Sequence, residues 1–413
     1  MRILFIPYVL PPLHYPAALR NLKLLLGLAS HDLEIDVCHV ATDHYRHFGP
    51  DKLDFSLAEK LPSNVTYLPV QSPEKNLAFR TINANPTISK LFFPLTNPIK
   101  REWTWTAQRL LRKHDPSRYD AVVTMSQPHC NHLIGLWLKK RYGLPWIAFF
   151  SDPWIDNQYS SLRTDSILRS FHAKMERDVM NHADLALFTS EETRRFLLKI
   201  YPHMDHKFKI LPHCYVPEWY PKAKPRGADE LITMLHCGNF YGPRSPQPLF
   251  RALANLEKKS QISRTLRVDL VGGMNPQDKS LLEQLGLGHF VRFAPTVPYL
   301  DALALQSEAD WLLLIDAPSE NGPSVFLPSK LIDYFGSAKP ILGITPHEGA
   351  SSRVLAEYNH PVHDVDDIDD IMTSCTRIAN GWKPSIKSDS DKYNVCSIGQ
   401  LFYSYLRKTA KLS

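Results

Sequence analysis

The sequence contains no apolar run long enough to cross a membrane. A spanning helix needs about 20 consecutive apolar residues, and no stretch of the 413 residues approaches that length. The apolar beginning of the chain is interrupted by Pro7 and stops at Pro11-Pro12, which indicates a first buried strand rather than a signal peptide. Any contact with a membrane is therefore expected to be peripheral.

Cysteine is scarce, and its six copies are spread along the chain with no close pair. In a long chain this spacing predicts reduced thiols in the cytoplasm rather than a disulfide framework. The sequence also lacks a zinc-binding Cys/His spacing, a Walker phosphate loop and a Gly-x-Ser-x-Gly elbow.

The acidic run from His363 to Asp370 contains Asp-x-Asp pairs that can hold a divalent cation. It precedes a predicted helix, where carboxylates favour the positive N-terminus, so no metal is expected.

The charge balance is only mildly basic. The chain has 48 Lys and Arg against 42 Asp and Glu, a formal net charge of +6, which suits an anionic ligand or an acidic membrane surface without requiring either. There are no zinc fingers, no basic helix with heptads and no Lys/Arg run longer than three residues. Nucleic-acid binding is therefore not predicted.

Short apolar runs alternate with helical patterns along the whole chain. This alternation predicts an α/β protein with two doubly wound, Rossmann-like domains. The predicted strands are 2–8, 34–40, 121–125, 145–150 and 184–189 in the first half, and 232–236, 267–271, 291–293, 311–315 and 341–344 in the second. A ligand cleft is expected between the carboxyl ends of the two sheets.

The domain boundaries follow from composition. We expect an N-terminal Rossmann-like domain over 1–215, with an irregular insertion at about 48–118. A proline-rich linker over 216–229 leads to a C-terminal Rossmann-like domain over 230–388. The last segment, 389–413, is predicted to be a helix that packs back toward the first domain.

One stretch of the second half combines helix signals with groups that bind nucleotides. Pro328 and Ser329 open a short predicted helix that Gly336 closes. Its N-terminus offers N–H groups to an anion, and Lys330 adds a charge for phosphate. Asp333, three residues on, can accept hydrogen bonds from the two hydroxyls of a ribose. A capped helix with a surface ion pair is the alternative interpretation.

Three further segments follow predicted strands. After the first strand of the second half, Gly238 and Asn239 allow close backbone approach and Arg244 can bind a phosphate with its fork of N–H groups. An ordinary loop with a solvated arginine is the alternative here. In the first half, Ser126–His132 and Phe149–Asn157 follow neighbouring strands. Side by side at one sheet edge, they bring together three polar residues: His132, Asp152 and His129. Structural histidines and a turn-capping Asp152 are the alternative.

Together these segments resemble the family 4 glycosyltransferases, retaining nucleotide-sugar-dependent enzymes with the GT-B architecture of two Rossmann-like domains. The helix that carries Arg20 is similar to the helix behind the family's first loop. Pro145–Trp154 is close to a Trp-x-x-Asp-x-x-Asp-Pro-Trp pattern of a subset of these enzymes, and Glu176–Ser190 is similar to the helix and strand before the hinge. The most specific similarity is that of Pro328–Pro340 to the donor-site helix.

The resemblance implies transfer of a sugar from a nucleotide-diphosphate donor, with retention of its anomeric configuration, to a glycan or lipid-linked acceptor in surface polysaccharide or glycolipid synthesis. It implies that Asp333 holds the ribose, that Lys330 contacts the diphosphate or the sugar, and that Arg244 neutralises the leaving diphosphate. Catalytic polar contacts to the acceptor come from His132 and Asp152. Further donor contacts are Ser329, Gly238 and Asn239, and further acceptor-side residues are Arg20, His129 and Trp154. No metal or cofactor is implied.

The chain departs from the family pattern in three places. Leu13–Ala17 has no glycine pair, Val325 stands where many members have a second acidic residue, and Asp333 is one methylene shorter than the usual Glu. Two other functions therefore stay open: a nucleotide-sugar epimerase of the same architecture, and a non-catalytic nucleotide-sugar binder.

The segment 86–105 mixes aromatic and basic residues, including Phe92, Phe93 and Trp103. Such a mixture attracts anionic lipid headgroups. It predicts peripheral contact with the inner face of the plasma membrane. The alternative is a loop that packs its aromatic side chains on the first domain.

Overall fold

The computed structural model describes residues 1–49, 52–71, 101–157, 166–222, 231–259, 265–319, 322–387 and 389–411. The chain divides into two compact units, Met1–His213 with Val395–Ser413, and Cys214–Asn394. Each unit contains one parallel sheet with helices in its connections. The predicted α/β fold with two doubly wound domains is confirmed.

The first unit is built on a seven-stranded sheet in the order β3-β2-β1-β4-β5-β6-β7. Its strands are β1 (Arg2–Ile6), β2 (Glu34–Val40), β3 (Thr66–Val70), β4 (Ala121–Met125), β5 (Trp146–Phe150), β6 (Leu185–Phe188) and β7 (Phe208–Ile210). Its helices are α1 (Pro16–Ala29), α2 (Phe55–Ala58), α3 (Arg101–Lys113), α4 (Asn131–Tyr142), α5 (Ser166–His182) and α6 (Glu191–Ile200). Strands β4 and β5 are buried at every position because helices cover both faces of a parallel sheet.

The second unit is built on a six-stranded parallel sheet in the order β10-β9-β8-β11-β12-β13. Its strands are β8 (Leu231–Cys237), β9 (Thr265–Val271), β10 (Val291–Ala294), β11 (Trp311–Ile315), β12 (Ile341–Ile344) and β13 (Val362–His363). Its helices are α7 (Gln247–Lys259), α8 (Pro276–Gln284), α9 (Tyr299–Glu308), α10 (Ser329–Gly336), α11 (Ala350–Glu357) and α12 (Ile368–Ala379). Strand β8 lies between β9 and β11, so the strand order reverses there, which is where α/β sheets bind ligands.

The strands that the sequence pattern missed all lie at sheet edges. Each predicted strand is present, but β3, β7 and β13 were not predicted. Strand β3 falls inside the predicted irregular insertion, and so does helix α3, so that prediction was wrong for these parts of 48–118. The pattern failed because β3 is half-exposed and contains Pro69, which is tolerated at an edge but argues against a central strand. Residues 72–100 of the insertion lie outside the described residues.

The chain ends in helix α13 (Val395–Ala410), which belongs to the first unit. It packs closely on α1 through two glycines: a Cβ on Gly399 would lie 2.5 Å from the carbonyl oxygen of Gly27. Tyr405 also donates a hydrogen bond to the Ile210 carbonyl, 3.1 Å away. Among the helices of the described ranges, none is long and apolar enough to span a bilayer.

We expect Gly399→Ala to destabilise the first unit. The new methyl group meets backbone atoms of Gly27 rather than a movable side chain, so the two helices must separate. Overpacking of this kind costs about 1–3 kcal/mol, measurable by urea denaturation. Gly288→Ala is the control because a Cβ there meets no atom within 4 Å. Equal stability of the Gly399→Ala variant and the wild type would contradict this account of the helix contact.

Candidate functional site

A cluster of charged side chains lies at the carboxyl end of the second sheet. Lys330, in the first turn of α10, places its Nζ 3.3 Å from His236 Nε2 at the end of β8. Gly238 follows with φ of +139°, and a Cβ on it would lie 2.4 Å from Lys330 Nζ. A side chain at position 238 would therefore displace the lysine amine, and the positive φ itself favours glycine there.

His236 orients the lysine as a neutral acceptor. Its Nδ1 lies 2.9 Å from the Leu313 carbonyl oxygen, which can only accept, so Nδ1 carries the ring hydrogen. Nε2 then accepts a hydrogen bond from Lys330. Burial, followed by the charge of Lys330, lowers the pKa of His236 well below its usual value. The imidazole thus stays uncharged at neutral pH.

The pKa of Lys330 itself is lowered to the neutral range. Burial first, and repulsion by Arg244 second, lower its pKa to about 7, while Asp316 opposes the shift. Arg244 is buried and binds Asp316 Oδ1 through Nη2 at 3.2 Å. When Lys330 is protonated, the cluster has two cations and one carboxylate and therefore a net positive charge. Such a charge suits an anion with two or more negative charges.

Asp316 is a member of the cluster that the sequence analysis missed. Besides Arg244 it accepts hydrogen bonds from Ser351 Oγ at 2.6 Å and Thr345 Oγ1 at 3.4 Å. These contacts fix the carboxylate and through it the arginine. A signal was present, because Asp316 directly follows the buried strand β11 at the carboxyl end of the sheet.

Asn239 ties neighbouring loops together. Its Oδ1 accepts from the Gly273 amide at 2.6 Å and from Thr296 Oγ1 at 3.3 Å. A Cβ on Gly272 would lie 2.3 Å from the Gly238 carbonyl oxygen, so the loops after β8 and β9 are closely packed. The side-chain oxygen of Asn239 is therefore occupied by hydrogen bonds within the protein. These bonds hold the predicted donor loop against its neighbouring loops.

The remaining predicted donor residues lie on α10. Ser329 is its first residue, behind Pro328 in extended conformation. Asp333 is buried, with 6% of its surface exposed, so the alternative of a solvated surface ion pair with Lys330 is wrong. The Asp333 carbonyl oxygen accepts from Tyr220 Oη at 2.7 Å. The Asp333 carboxylate lies beside Tyr299, whose pKa is raised by burial first and by this carboxylate next.

In the first unit, the two predicted loops lie side by side at the carboxyl ends of β4 and β5. The Ser151 amide donates to Ser126 Oγ at 2.9 Å. Asp152 Oδ2 accepts from Ser151 Oγ at 2.8 Å and from Gln127 Nε2 at 3.2 Å. Burial raises the pKa of Asp152, opposed by its hydrogen bond from Ser151 and by Arg20.

Arg20 lies beneath these loops. It donates through Nη2 to the Ser126 carbonyl and to Asn21 Oδ1, and its guanidinium lies 5.2 Å from the centre of the Phe149 ring. Burial lowers its pKa to about 10, with Asp152 opposing the shift. Arg20 therefore anchors the loop and balances the carboxylate; it is buried, with 5% exposure.

The predicted histidines are neutral and packed. His132 is fully buried, its ring 4.3 Å from that of Phe150 and its Nδ1 2.8 Å from Thr124 Oγ1. Its Nε2 has no hydrogen-bond partner among the described residues. His129 stacks on Trp154 with ring centres 5.2 Å apart. Burial is the main cause that lowers the pKa of His132 well below its usual value and that of His129 to about 3.

Two residues of the predicted acceptor set, Trp154 and His132, are buried in the first unit. Trp154 is 3% exposed and donates through Nε1 to His172 Nδ1 at 2.9 Å, so it packs the loop rather than presenting a surface to a ligand. His132 is likewise buried, and its strongly lowered pKa keeps the imidazole uncharged at neutral pH. Asp152 is partly exposed, and it is the acidic residue of the predicted acceptor set.

Residues 65–206 match a sequence family described as a glycosyl transferase 4-like domain. The matched segment covers less than half of the chain and lies within the first unit. None of the curated proteins matches the sequence.

Solved structures with the same architecture cover the whole chain. Sucrose-phosphate synthase from Thermosynechococcus elongatus has a TM-score of 0.66 and 16% identity, over 100% of both chains. The lipopolysaccharide outer core galactosyltransferase WaaB has a TM-score of 0.60 and 13% identity, over 99% of both chains. UDP-GlcNAc 2-epimerase from Neisseria meningitidis has a TM-score of 0.57 and 13% identity, over 99% of this chain and 100% of its own.

At these identities the neighbours establish the fold alone. The fold is the two-domain α/β architecture that GT-B glycosyltransferases share with such epimerases. Taken with the family match over residues 65–206, it supports a glycosyltransferase 4-like protein.

Proposed function

We propose that the protein is a retaining glycosyltransferase that moves a sugar from a nucleotide-diphosphate sugar to a glycan or lipid-linked acceptor. The observation that carries the proposal is the cationic cluster of Lys330 and Arg244 beside Gly238 at the switch point of the second sheet. Two cations near a backbone with no Cβ fit a diphosphate, which has several negative charges and needs close approach.

The cluster also fits the chemistry of transfer. The bond between the anomeric carbon and the donor phosphate oxygen breaks, a bond from that carbon to the acceptor hydroxyl oxygen forms, and negative charge grows on the departing diphosphate, whose oxygen takes the hydroxyl proton. Arg244 and Lys330 are positioned to stabilise that charge, and such preorganised stabilisation is usually the largest catalytic contribution. Asp316 holds Arg244 in place, and Asp333 is assigned to the ribose.

On the first unit, Asp152 is assigned to the acceptor. The residue is half-buried at the sheet edge, and its carboxylate can accept a hydrogen bond from an acceptor hydroxyl. Arg20, which is buried, balances its charge, and Ser151 and Gln127 donate hydrogen bonds to it. Because WaaB is named for the lipopolysaccharide outer core, a surface polysaccharide or glycolipid on the cytoplasmic side of the membrane is the proposed acceptor class.

An epimerase is the second candidate, because epimerases share the architecture. The family match over residues 65–206 favours transfer instead. Incubation of the protein with a nucleotide sugar and no acceptor separates the two: a new nucleotide sugar would identify an epimerase, whereas product that forms only with acceptor identifies a transferase. Binding of the donor with neither outcome would identify a non-catalytic binder.

Nucleotide affinity is expected to fall as pH rises above 7. Lys330 has a pKa of about 7 and contributes a charge to the diphosphate only when protonated, while the phosphates are already ionised in this range. Between pH 7 and pH 9 the dissociation constant is expected to rise by up to about fifty-fold. Calorimetric titration over this range measures the change, and Lys330→Gln should bind weakly with a flat profile. An equally steep profile in Lys330→Gln would assign the pH dependence to another group.

Divalent cations are expected to be unnecessary for transfer. Lys330 and Arg244 supply positive charge at the proposed diphosphate site, the role that a metal ion fills in other phosphate sites. Initial rates measured with excess EDTA should equal those with added magnesium or manganese. A rate restored only by a divalent ion would contradict this assignment.

A further inference from the structure

Helices α3 and α4 form an open groove on the outer surface of the first unit. Their inner faces are buried in the core, α3 through Trp103 and Leu111 and α4 through Ile134 and Leu138. The groove between their outer faces has a volume of about 760 Å³. Its lining combines three cations with apolar side chains: Arg112, Lys140, Arg141, Leu133, Leu136 and Trp137.

Helical spacing extends this surface along both helices. Trp105, Arg109 and Arg112 are four and three residues apart on the outer face of α3, and Trp105 is 47% exposed. On α4, Leu133 and Trp137 lie on the corresponding face. Neither outer face has an acidic residue: α4 contains no Asp or Glu, and the single one of α3, Glu102, is buried.

The cations of the groove are not neutralised within the protein. In the part of the chain that the structure describes, Arg112, Lys140 and Arg141 form no ion pair; Arg112 instead lies over the Trp137 ring, 5.1 Å from its centre. The neighbouring Lys139, by contrast, is ion-paired: its Nζ lies 2.8 Å from each carboxylate oxygen of Asp184. Of the three cations in the last turn of α4, the two that line the groove are thus the ones without an ion pair among the described residues.

We propose that this groove docks the protein on an anionic phospholipid surface. Arginine and lysine side chains bind lipid phosphates while their methylene stems and exposed tryptophans rest at the apolar boundary. Unneutralised cations interleaved with Trp105, Trp137 and two leucines are the composition that such a boundary favours. The charge of the groove is complementary to the surface that it would contact.

The location of the groove connects docking with transfer. Leu133, at one end of the groove, directly follows His132 at the carboxyl end of β4, where the proposed acceptor residue Asp152 lies nearby. The groove runs from the cations in the last turns of α3 and α4 to Leu133 near the acceptor loops, so a membrane docked along it extends toward those loops. This step rests on the proposed function and specifies a lipid-linked acceptor; the docking itself does not depend on it.

The residues differ from those that the sequence pattern suggested. Trp103 is fully buried and donates through Nε1 to Asn131 Oδ1 at 2.7 Å, so it cannot contact a membrane. Phe92 and Phe93 lie outside the described residues. Of the predicted segment 86–105, Trp105 is the described aromatic that the structure exposes.

Vesicle flotation tests the docking. The full chain is mixed with vesicles of phosphatidylcholine alone or of equimolar phosphatidylcholine and phosphatidylglycerol, at low and at high salt. Wild type should float with the anionic vesicles at low salt and lose binding with added salt. The triple variant Arg112→Gln/Lys140→Gln/Arg141→Gln should bind about a hundred-fold more weakly. The control Arg251→Gln/Lys258→Gln/Lys259→Gln removes three exposed cations from α7 and should bind like wild type.

The outcomes separate docking from the proposed function. Nucleotide binding of the same groove variant, measured by calorimetry, should be unchanged. No flotation of wild type with anionic vesicles, or equal losses in both triple variants, would overturn the docking and leave the donor site intact. Loss of a dimer rather than of vesicle binding in the groove variant would also overturn it and assign the surface to a second copy. Flotation without any nucleotide binding would keep the docking and reject the transferase.

Discussion

Replacement of Arg244 by alanine is expected to lower kcat by about a hundred- to a thousand-fold. Arg244 is the buried arginine that Asp316 holds beside Lys330, and it is assigned to the charge that grows on the leaving diphosphate. The factor by which kcat falls should exceed the factor by which the nucleotide dissociation constant rises. The reason is that the negative charge on the diphosphate is greater in the transition state than in the bound donor. Initial-rate kinetics on the purified variant provide the measurement.

Three further variants make this prediction specific. Arg244→Lys keeps the charge but not the two-pronged contact and should fall between wild type and alanine. Arg251→Ala, at an exposed position on α7, should leave kcat unchanged. Asp316→Asn removes the partner of Arg244 and should lower kcat without removing either cation. A kcat of Arg244→Ala close to that of wild type would show that the cluster does not act on the leaving group.

The first unit is expected to lose much of its stability between pH 7 and pH 5. Burial lowers the pKa of His39 to about 4, of His172 to about 4 and of His129 to about 3, against 6.5 in the unfolded chain. Each depressed pKa gives stability that is present above pH 6.5 and lost as pH falls toward the folded value. Each histidine contributes a loss of about 2 kcal/mol over this range, against a total stability of about 5–15 kcal/mol for a domain.

Glu176 opposes this trend. Burial raises its pKa to about 7, partly offset by a hydrogen bond from Tyr201 Oη at 2.8 Å. Its folded state therefore binds the proton more tightly than the unfolded chain, which adds about 2 kcal/mol of stability between pH 7 and pH 5. The net expected loss from these four groups is about 4 kcal/mol, and it should be larger in Glu176→Gln. Urea denaturation at both pH values measures the differences; constant stability of wild type would contradict the burial of these histidines.

The elements of the proposed donor site were predictable because each has a local signal. Gly238 directly follows strand β8 and Arg244 lies in the same loop, Pro328–Ser329 open α10, and parallel sheets bring such strand ends to one edge. The same reasoning placed the Ser126 and Ser151 loops side by side. Long central strands, buried at every position, give the apolar runs that a sequence pattern detects best.

The partners within the site were not predictable from the pattern. Asp316 contacts Arg244 across 72 positions of sequence, and the choice of Nδ1 as the hydrogen-bearing nitrogen of His236 depends on a carbonyl of β11. The burial of Asp333 and Trp154 likewise depends on aromatic neighbours from other elements. Such features are set by packing between elements, which helical or strand periodicity does not encode.

Calorimetric titration with UDP, GDP, ADP and dTDP tests the central claim most directly. Wild type, Arg244→Ala, Asp333→Ala and the surface control Arg251→Ala are compared at pH 7. One nucleotide should bind selectively, with weaker binding in Arg244→Ala and Asp333→Ala and unchanged binding in Arg251→Ala. Failure of the folded wild type to bind any of the four, or equal binding by all four proteins, would contradict the assignment of a nucleotide-sugar site to the second unit.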